Sequence, residues 1–150
     1  MNTITMDSPI GLLTLAGTNE ALTSVFFGGG GYAFNPSQLL LRAVSELREY
    51  FAGTRRSFDI PLDPAGTEFQ KKVWKALCDI PYGETRSYRD IALAVDSPRA
   101  ARAVGLANNK NPIPILVPCH RVIGADGSLT GYAGGLEVKR LLLELEQQHK

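Results

Sequence analysis

Asn111-Pro112-Ile113-Pro114-Ile115-Leu116-Val117-Pro118-Cys119-His120-Arg121-Val122 is the stretch from which the rest of the chain is read. Pro112, Pro114 and Pro118 fix φ and remove three backbone donors, which excludes a helix and predicts a rigid extended segment or an edge strand. The alternation Ile113-Ile115-Val117 predicts one buried face. Beyond Pro118 the chain must leave that strand, so Cys119 and His120 are presented at its end. Neighbouring strand side chains point to opposite faces, and a turn or a water must therefore connect thiol and imidazole. Two readings of the dipeptide stand side by side: a small buried cysteine beside an ion-pairing histidine, or a nucleophile beside its base.

Outward from this stretch, Val138 to Gln147 has helical periodicity, with Val138, Leu142 and Leu145 facing inward. Glu146 follows Leu142 by four residues, on or beside the buried stripe, where a carboxylate needs a partner. His120 is the candidate, because His149 sits at the carboxyl end. Upstream, Ser87 to Val95 and Pro98 to Asn108 predict two short helices joined by Asp96-Ser97, with Ser97 as N-cap and Pro98 at the first helical position. That spacing fits a helix-turn-helix and a plain helical hairpin equally well. Small residues (Ala100, Ala101, Ala103, Gly105, Ala107) keep the second helix slim, and Arg99 and Arg102 share a face at a spacing of three, which suits an approach to duplex DNA. Thr67-Glu68-Phe69-Gln70 has capping-box spacing and opens a further helix with Phe69, Val73, Leu77 and Ile80 buried. Cys78, beside that stripe, reads as a small core residue.

The first half reads as scaffold. Thr3 to Met6, Leu12 to Ala16 and Leu22 to Phe27 predict a three-stranded meander. Gly28 to Gly31 predicts a flexible loop, since no lysine or Ser/Thr follows where a phosphate loop requires one. A helix begins at Pro36, buries Leu40, Val44, Leu47 and Phe51, and ends at Gly53. Ser57 to Leu62 predicts another strand, and Asp63-Pro64-Ala65-Gly66 a linker.

With 150 residues, 44% apolar and 21% charged, the composition fits a soluble globular chain of one domain or two small ones. No apolar run approaches the roughly 18 residues of a membrane helix, and Met1 to Pro9 lacks a signal-peptide layout, so a cytoplasmic protein with reduced cysteines and no membrane partner is expected. The formal charge is only +1, yet it is unevenly spread: Glu84 to Arg121 holds three acids against six bases. The second half is therefore the half suited to phosphates.

Pro-Cys-His-Arg-Val, with Asn111-Pro112 before it and Gly131-Tyr132-Ala133-Gly134-Gly135 after it, resembles the active-site signature of the O6-alkylguanine-DNA alkyltransferases, the methylated-DNA–protein-cysteine methyltransferases. The resemblance extends over roughly residues 67 to 150. It implies an α+β protein with a small ribonuclease H-like domain over residues 1 to 64. Residues 67 to 150 would form a winged-helix or helix-turn-helix domain that binds DNA and accepts the alkyl group. The implied reaction is a single, irreversible transfer of an alkyl group from O6 of guanine, and from O4 of thymine, to Cys119 after base flipping, with no cofactor and no metal. His120 would act as base through a water and Glu146 as its orienting carboxylate. Arg102 would fill the gap left by the extruded base from the minor groove, and Tyr88 would help to rotate the nucleotide. Arg99 belongs to the same DNA-binding surface, Asn111 would be the hinge before the cysteine segment, and Tyr132 and Ala133 would offer backbone amides to the guanine. The implied partner is double-stranded DNA, and off DNA the protein is expected to be a monomer. The alternatives are a sensor that binds alkylated DNA without transfer, against which the presence of Cys119 argues, and a thiol hydrolase, for which the sequence lacks a separate histidine in a suitable place.

Overall fold

Three short apolar-rich runs near the amino terminus pair as an antiparallel meander of β1 (Asn2–Met6), β2 (Leu13–Gly17) and β3 (Leu22–Phe27). Ile4 faces Leu15 across the first pair and Leu15 faces Val25 across the second, and all three are buried. Helix α1 (Gln38–Phe51) starts where the Ser37 side chain accepts from the Leu40 amide, and its buried Leu40, Val44 and Leu47 cover the sheet. It closes through Gly53, whose φ of 81 lets its amide turn back to the Tyr50 carbonyl. The expected strand at Ser57 to Leu62 is not formed. Leu22 makes a single bridge to Leu62, and Pro61, which has no amide hydrogen, keeps the ladder from extending.

The computed structural model describes residues 1–29 and 31–150; Gly30, within the expected Gly28 to Gly31 loop, lies outside the described residues. Contacts divide the chain into two compact units, Met1–Ala65 and Gly66–Lys150.

In the second unit, α2 (Glu68–Cys78) opens on a complete Thr67–Gln70 capping box and buries Val73, Trp74 and Leu77. The Trp74 indole donates to the Ala107 carbonyl at 2.8 Å, fixing α2 to the helix that carries Ala107. Phe69 is only half-buried, and Cys78 is exposed. Cys78 falls one position past Leu77, which turns it by about 100° from the buried stripe, so its reading as a core residue is corrected. Helix α3 (Tyr88–Ala94) is capped by Ser87 with Asp90 in the reciprocal position, after a two-residue strand β4 (Arg86–Ser87). Helix α4 (Ala101–Asn109) begins three residues later than the Ser97-Pro98 signal predicts. The chain leaves α3 through Asp96 at a φ of 57, and Ser97 to Ala100 is spent as a turn closed by the Ala100 amide on the Ser97 carbonyl at 2.8 Å. Arg99 therefore lies before the helix, so it and Arg102 do not share a helical face.

The proline-rich stretch is not an edge strand with one dry face. Residues 113–122 are buried throughout, Ile115 has a φ of 77, and the Val117 amide turns back to the Ile113 carbonyl at 3.0 Å. With prolines blocking a ladder and apolar residues at every position from Ile113 to Cys119, the segment folds into a tight loop packed on all sides. It runs into a 3-10 turn, Cys119–Arg121, then β5 (Val122–Ile123), which pairs in parallel with β4. Helix α5 (Leu136–His149) closes the unit against that turn.

Candidate active site

Asn111 fastens the tight loop at both ends. Its carboxamide oxygen accepts from the Ile113 amide at 3.0 Å, and its nitrogen donates to the Val117 carbonyl at 2.9 Å. From α4, the buried Asn108 amide donates to the Cys119 carbonyl at 3.3 Å. These side-chain bonds replace the ladder that the prolines forbid and hold the turn carrying Cys119 and His120. Cys119 is 5% exposed. Burial pushes its thiol up to about 11, with the Asn111 side chain and Lys139 pulling the other way.

The turn separates the two neighbouring side chains, and His120 points into the protein. Its Nε2 lies 2.6 Å from Glu146 Oε2 on α5. The same carboxylate accepts from Arg121 Nε at 2.9 Å, from Arg121 Nη2 at 3.0 Å and from the Gly83 amide at 3.1 Å. Burial alone would raise the Glu146 carboxyl, but the bonds and charges of His120 and Arg121 override it and bring it down to about 2. Burial lowers the His120 pKa, against the pull of Glu146. At neutral pH the group is thus a carboxylate between a guanidinium and a neutral imidazole. Because Nε2 faces an acceptor, Nε2 carries the hydrogen and Nδ1 carries the free lone pair. Nδ1 is buried and has no hydrogen-bond partner among the described residues.

The same unit carries a cleft of about 450 Å³ lined by Tyr88, Arg102, Gly105, Asn109, Thr130 and Gly131, with Cys119 outside the lining. Arg102 and Asn109 on α4 are exposed, and Tyr88, at the first position of α3, is half-buried with its hydroxyl 2.9 Å from Thr130 Oγ1 and 3.1 Å from the Thr130 carbonyl. Gly131 has a φ of 46, which favours glycine, and a Cβ there would meet the Asn109 carboxamide at 2.8 Å and push that side chain aside. Tyr132 is half-buried, and burial, then the charges of Cys119 and Glu146, raise its hydroxyl pKa well above the usual range. Ala133 is exposed in the turn closed by the Gly135 amide on the Tyr132 carbonyl at 2.9 Å.

The structure pairs His120 with Glu146 in the interior, buries Cys119 in the same turn with its side chain directed away from that pair, fastens the loop before it through Asn111, and arranges Tyr88 and Arg102 around the cleft. Arg99 does not line the cleft. Two participants were missed. Arg121 binds Glu146 with two nitrogens and donates to the Ile80 carbonyl at 2.8 Å, a buried fork that shares the carboxylate with His120. Lys139 is wholly buried. It stands three residues before Leu142 and seven before Glu146, so helical spacing alone puts it on the buried face, but its charge argues for solvent. Among the described residues no group of three or more His, Cys, Asp or Glu side chains is arranged to hold a metal ion, and no helix is long and apolar enough to cross a membrane.

Comparison with known proteins gives matches over both units. Residues 1–64 match the family described as 6-O-methylguanine DNA methyltransferase, ribonuclease-like domain, and residues 68–148 the family described as 6-O-methylguanine DNA methyltransferase, DNA binding domain. The methylated-DNA–protein-cysteine methyltransferase of Methanosarcina barkeri is 51% identical, with 96% of each chain covered. That of Mycolicibacterium paratuberculosis is 56% identical over 97% of this chain and 92% of its own. Among solved structures, Mycobacterium tuberculosis OGT in complex with DNA is similar at a TM-score of 0.92 and 53% identity, covering 99% of this chain and 94% of that one. An O6-methylguanine DNA methyltransferase from Methanococcus jannaschii is similar at 0.73 and 30% identity, covering 98% and 95%.

Proposed function

The chain belongs to the 6-O-methylguanine DNA methyltransferase family, and from that membership we propose that it repairs DNA by moving an alkyl group from O6 of guanine, and from O4 of thymine, onto the Cys119 sulfur. The observation that carries this reading is the free lone pair on His120 Nδ1, fixed by the Nε2 contact to Glu146 at 2.6 Å, in the residue next to a buried thiol. The thiol proton passes to Nδ1 through a water, and Glu146 with Arg121 hold the imidazole in the tautomer that can receive it. The sulfur then attacks the alkyl carbon: a C–S bond forms, the C–O bond breaks, its electron pair stays on the base, and the base takes up one proton. A thioether does not hydrolyse, so each molecule acts once. The step as written calls for neither cofactor nor metal.

The reacting atom is stacked inside a duplex and the base must be extruded, at a cost of a few kcal/mol. Arg102, exposed on α4 beside the cleft, is suited to fill the vacated space from the minor groove, and Tyr88 to turn the nucleotide toward Cys119. The chemistry resides in residues 67–150, with residues 1–64 as scaffold. Off DNA the protein is a monomer in the reducing cytoplasm, where both thiols stay free.

The test uses a duplex oligonucleotide bearing O6-methylguanine with a labelled methyl group. One label per protein molecule, on the peptide containing Cys119, is the expected result. Binding without transfer, or release of labelled methanol, overturns the reading.

A further inference from the structure

Apart from the groups already assigned a role, Lys139 is the side chain hardest to reconcile with its surroundings. It is wholly buried on α5, and its Nζ donates to the Val122 carbonyl at 2.6 Å and to the Thr130 carbonyl at 2.7 Å. Both acceptors are neutral. A buried ammonium held only by carbonyls is costly, and an apolar side chain of the same length would fill the volume without that penalty, so the charge needs another reason to be there.

The positions of the two carbonyls supply one. Val122 directly follows the turn of Cys119 and His120, and Thr130 stands on the rim of the cleft, where its carbonyl also receives the Tyr88 hydroxyl. One ammonium thus ties the nucleophile's turn to the rim. We propose that Lys139 is a positioning residue of the transfer: it clamps Val122 to Thr130, setting the cleft against the nucleophile, and its charge is the counter-cation of the Cys119 thiolate as it forms. The proposal rests on the reading of Cys119 as alkyl acceptor. It is consistent with the electrostatics, because burial brings the Lys139 pKa down to about 8 and the charge of Cys119 is what opposes that fall. The other ionisable groups around this region are His120 and Arg121 on the turn, Tyr88 and Tyr132 at the rim and Glu146 two turns along α5; of these, His120 and Arg121 are both bound to Glu146.

The experiment uses the full chain carrying Cys78→Ala, so that thiol chemistry reports Cys119 alone, with Lys139→Met and Lys139→Arg compared against it. The pH dependence of alkylation by iodoacetamide is measured, together with the rate of transfer from free O6-benzylguanine. Lys139→Met should raise the alkylation midpoint by about one pH unit and slow both reactions about tenfold near pH 7.5, whereas Lys139→Arg stays within about threefold of the parent. A folded Lys139→Met variant with the parent's profile and transfer rate overturns the proposal. Should Lys139→Met not fold, the parent and Lys139→Arg decide it. The parent's transfer rate should decline above about pH 8 as the lysine loses its proton, and the decline should vanish with arginine, which keeps its charge. An identical alkaline decline in both overturns the proposal. A parent that never accepts benzyl, yet shows the iodoacetamide shift with Lys139→Met, overturns the alkyl-transfer reading and leaves the lysine as partner of the thiolate.

Discussion

Burial pushes the Cys119 thiol up to about 11, so the thiol and not the thiolate is the resting form at neutral pH. On the proposed reading the nucleophile is made in place, by proton transfer to His120, rather than kept in store. Cys119→Ser should therefore abolish transfer while duplex binding persists, as read by mass spectrometry of the protein and by a binding isotherm. Cys78→Ala should transfer at the parent's rate, since Cys78 is exposed and its thiol is raised by desolvation around the sulfur and by Asp79. Glu146→Gln removes the anion that His120 Nε2 and Arg121 both address. Transfer should slow at least about tenfold, and stability should fall by about 3–5 kcal/mol because Arg121 is left as a buried unpaired charge. An unchanged rate in a folded Glu146→Gln protein would remove Glu146 from the relay. At this scale the sequence was readable where two clues agreed: Glu146 has both the helical spacing and the need for a partner. Lys139 has the spacing, but residue type pointed the other way.

Among elements, capped helices were the most legible. Thr67 and Ser87 each mark a helix start through a side-chain bond to a backbone amide, a purely local event that adjacent residues specify, whereas α1, expected from Pro36, starts two residues later behind its Ser37 cap. The 111–118 stretch was not legible in this way, because its shape depends on Asn111 reaching Val117 and on partners to either side, none of which a period-two pattern encodes. Helix α4 started late for a similar reason: a left-handed Asp96 used up the turn that Ser97-Pro98 announced. Its consequence falls on the arginines, since Arg102 lines the cleft and Arg99 does not. Arg102→Ala should slow repair of duplex DNA at least about tenfold, because the gap left by extrusion goes unfilled, and leave the reaction with free O6-benzylguanine near the parent's rate. Lys139→Met, by contrast, should slow both. Equal losses with both substrates for Arg102→Ala would make that residue part of the pocket instead of an extrusion device.

At the scale of the whole molecule, the buried site gives the protein a pH signature. A Glu146 carboxyl lowered from 4.5 to about 2 contributes stability that is present above 4.5 and lost as pH falls toward 2, about 3 kcal/mol in all. His120, also lowered, adds loss in the same direction as the unfolded chain takes up its proton below 6.5. On the alkaline side two effects oppose each other. Cys119, raised from 9.0 to about 11, loses stability as pH climbs past 9, while Lys139, lowered from 10.5 to about 8, gains it between 8 and 10.5. Urea unfolding followed by Trp74, the single tryptophan and a buried one, should thus weaken by about 3 kcal/mol or more from pH 7 to pH 3 and change by less than about 1 kcal/mol from pH 8 to pH 10. A flat acid limb would mean that the carboxylate is not held as the geometry indicates. Composition gave no hint of this behaviour: with a formal charge of +1, the balance of acids and bases says nothing about which of them are buried.

Thr130 offers one carbonyl oxygen, which has two lone pairs, and both are engaged: one by the Tyr88 phenol, the other by the Lys139 ammonium. In the role proposed for Tyr88, its single hydroxyl hydrogen can be donated to a nucleotide only by leaving Thr130. The number of bonds that this hydrogen makes then stays level through the exchange, so on this reading the residue contributes little to affinity and more to timing. Tyr88→Phe should leave the dissociation constant for intact duplex within about threefold while slowing transfer from an alkylated one. A large loss of affinity would show that the hydroxyl anchors DNA outright.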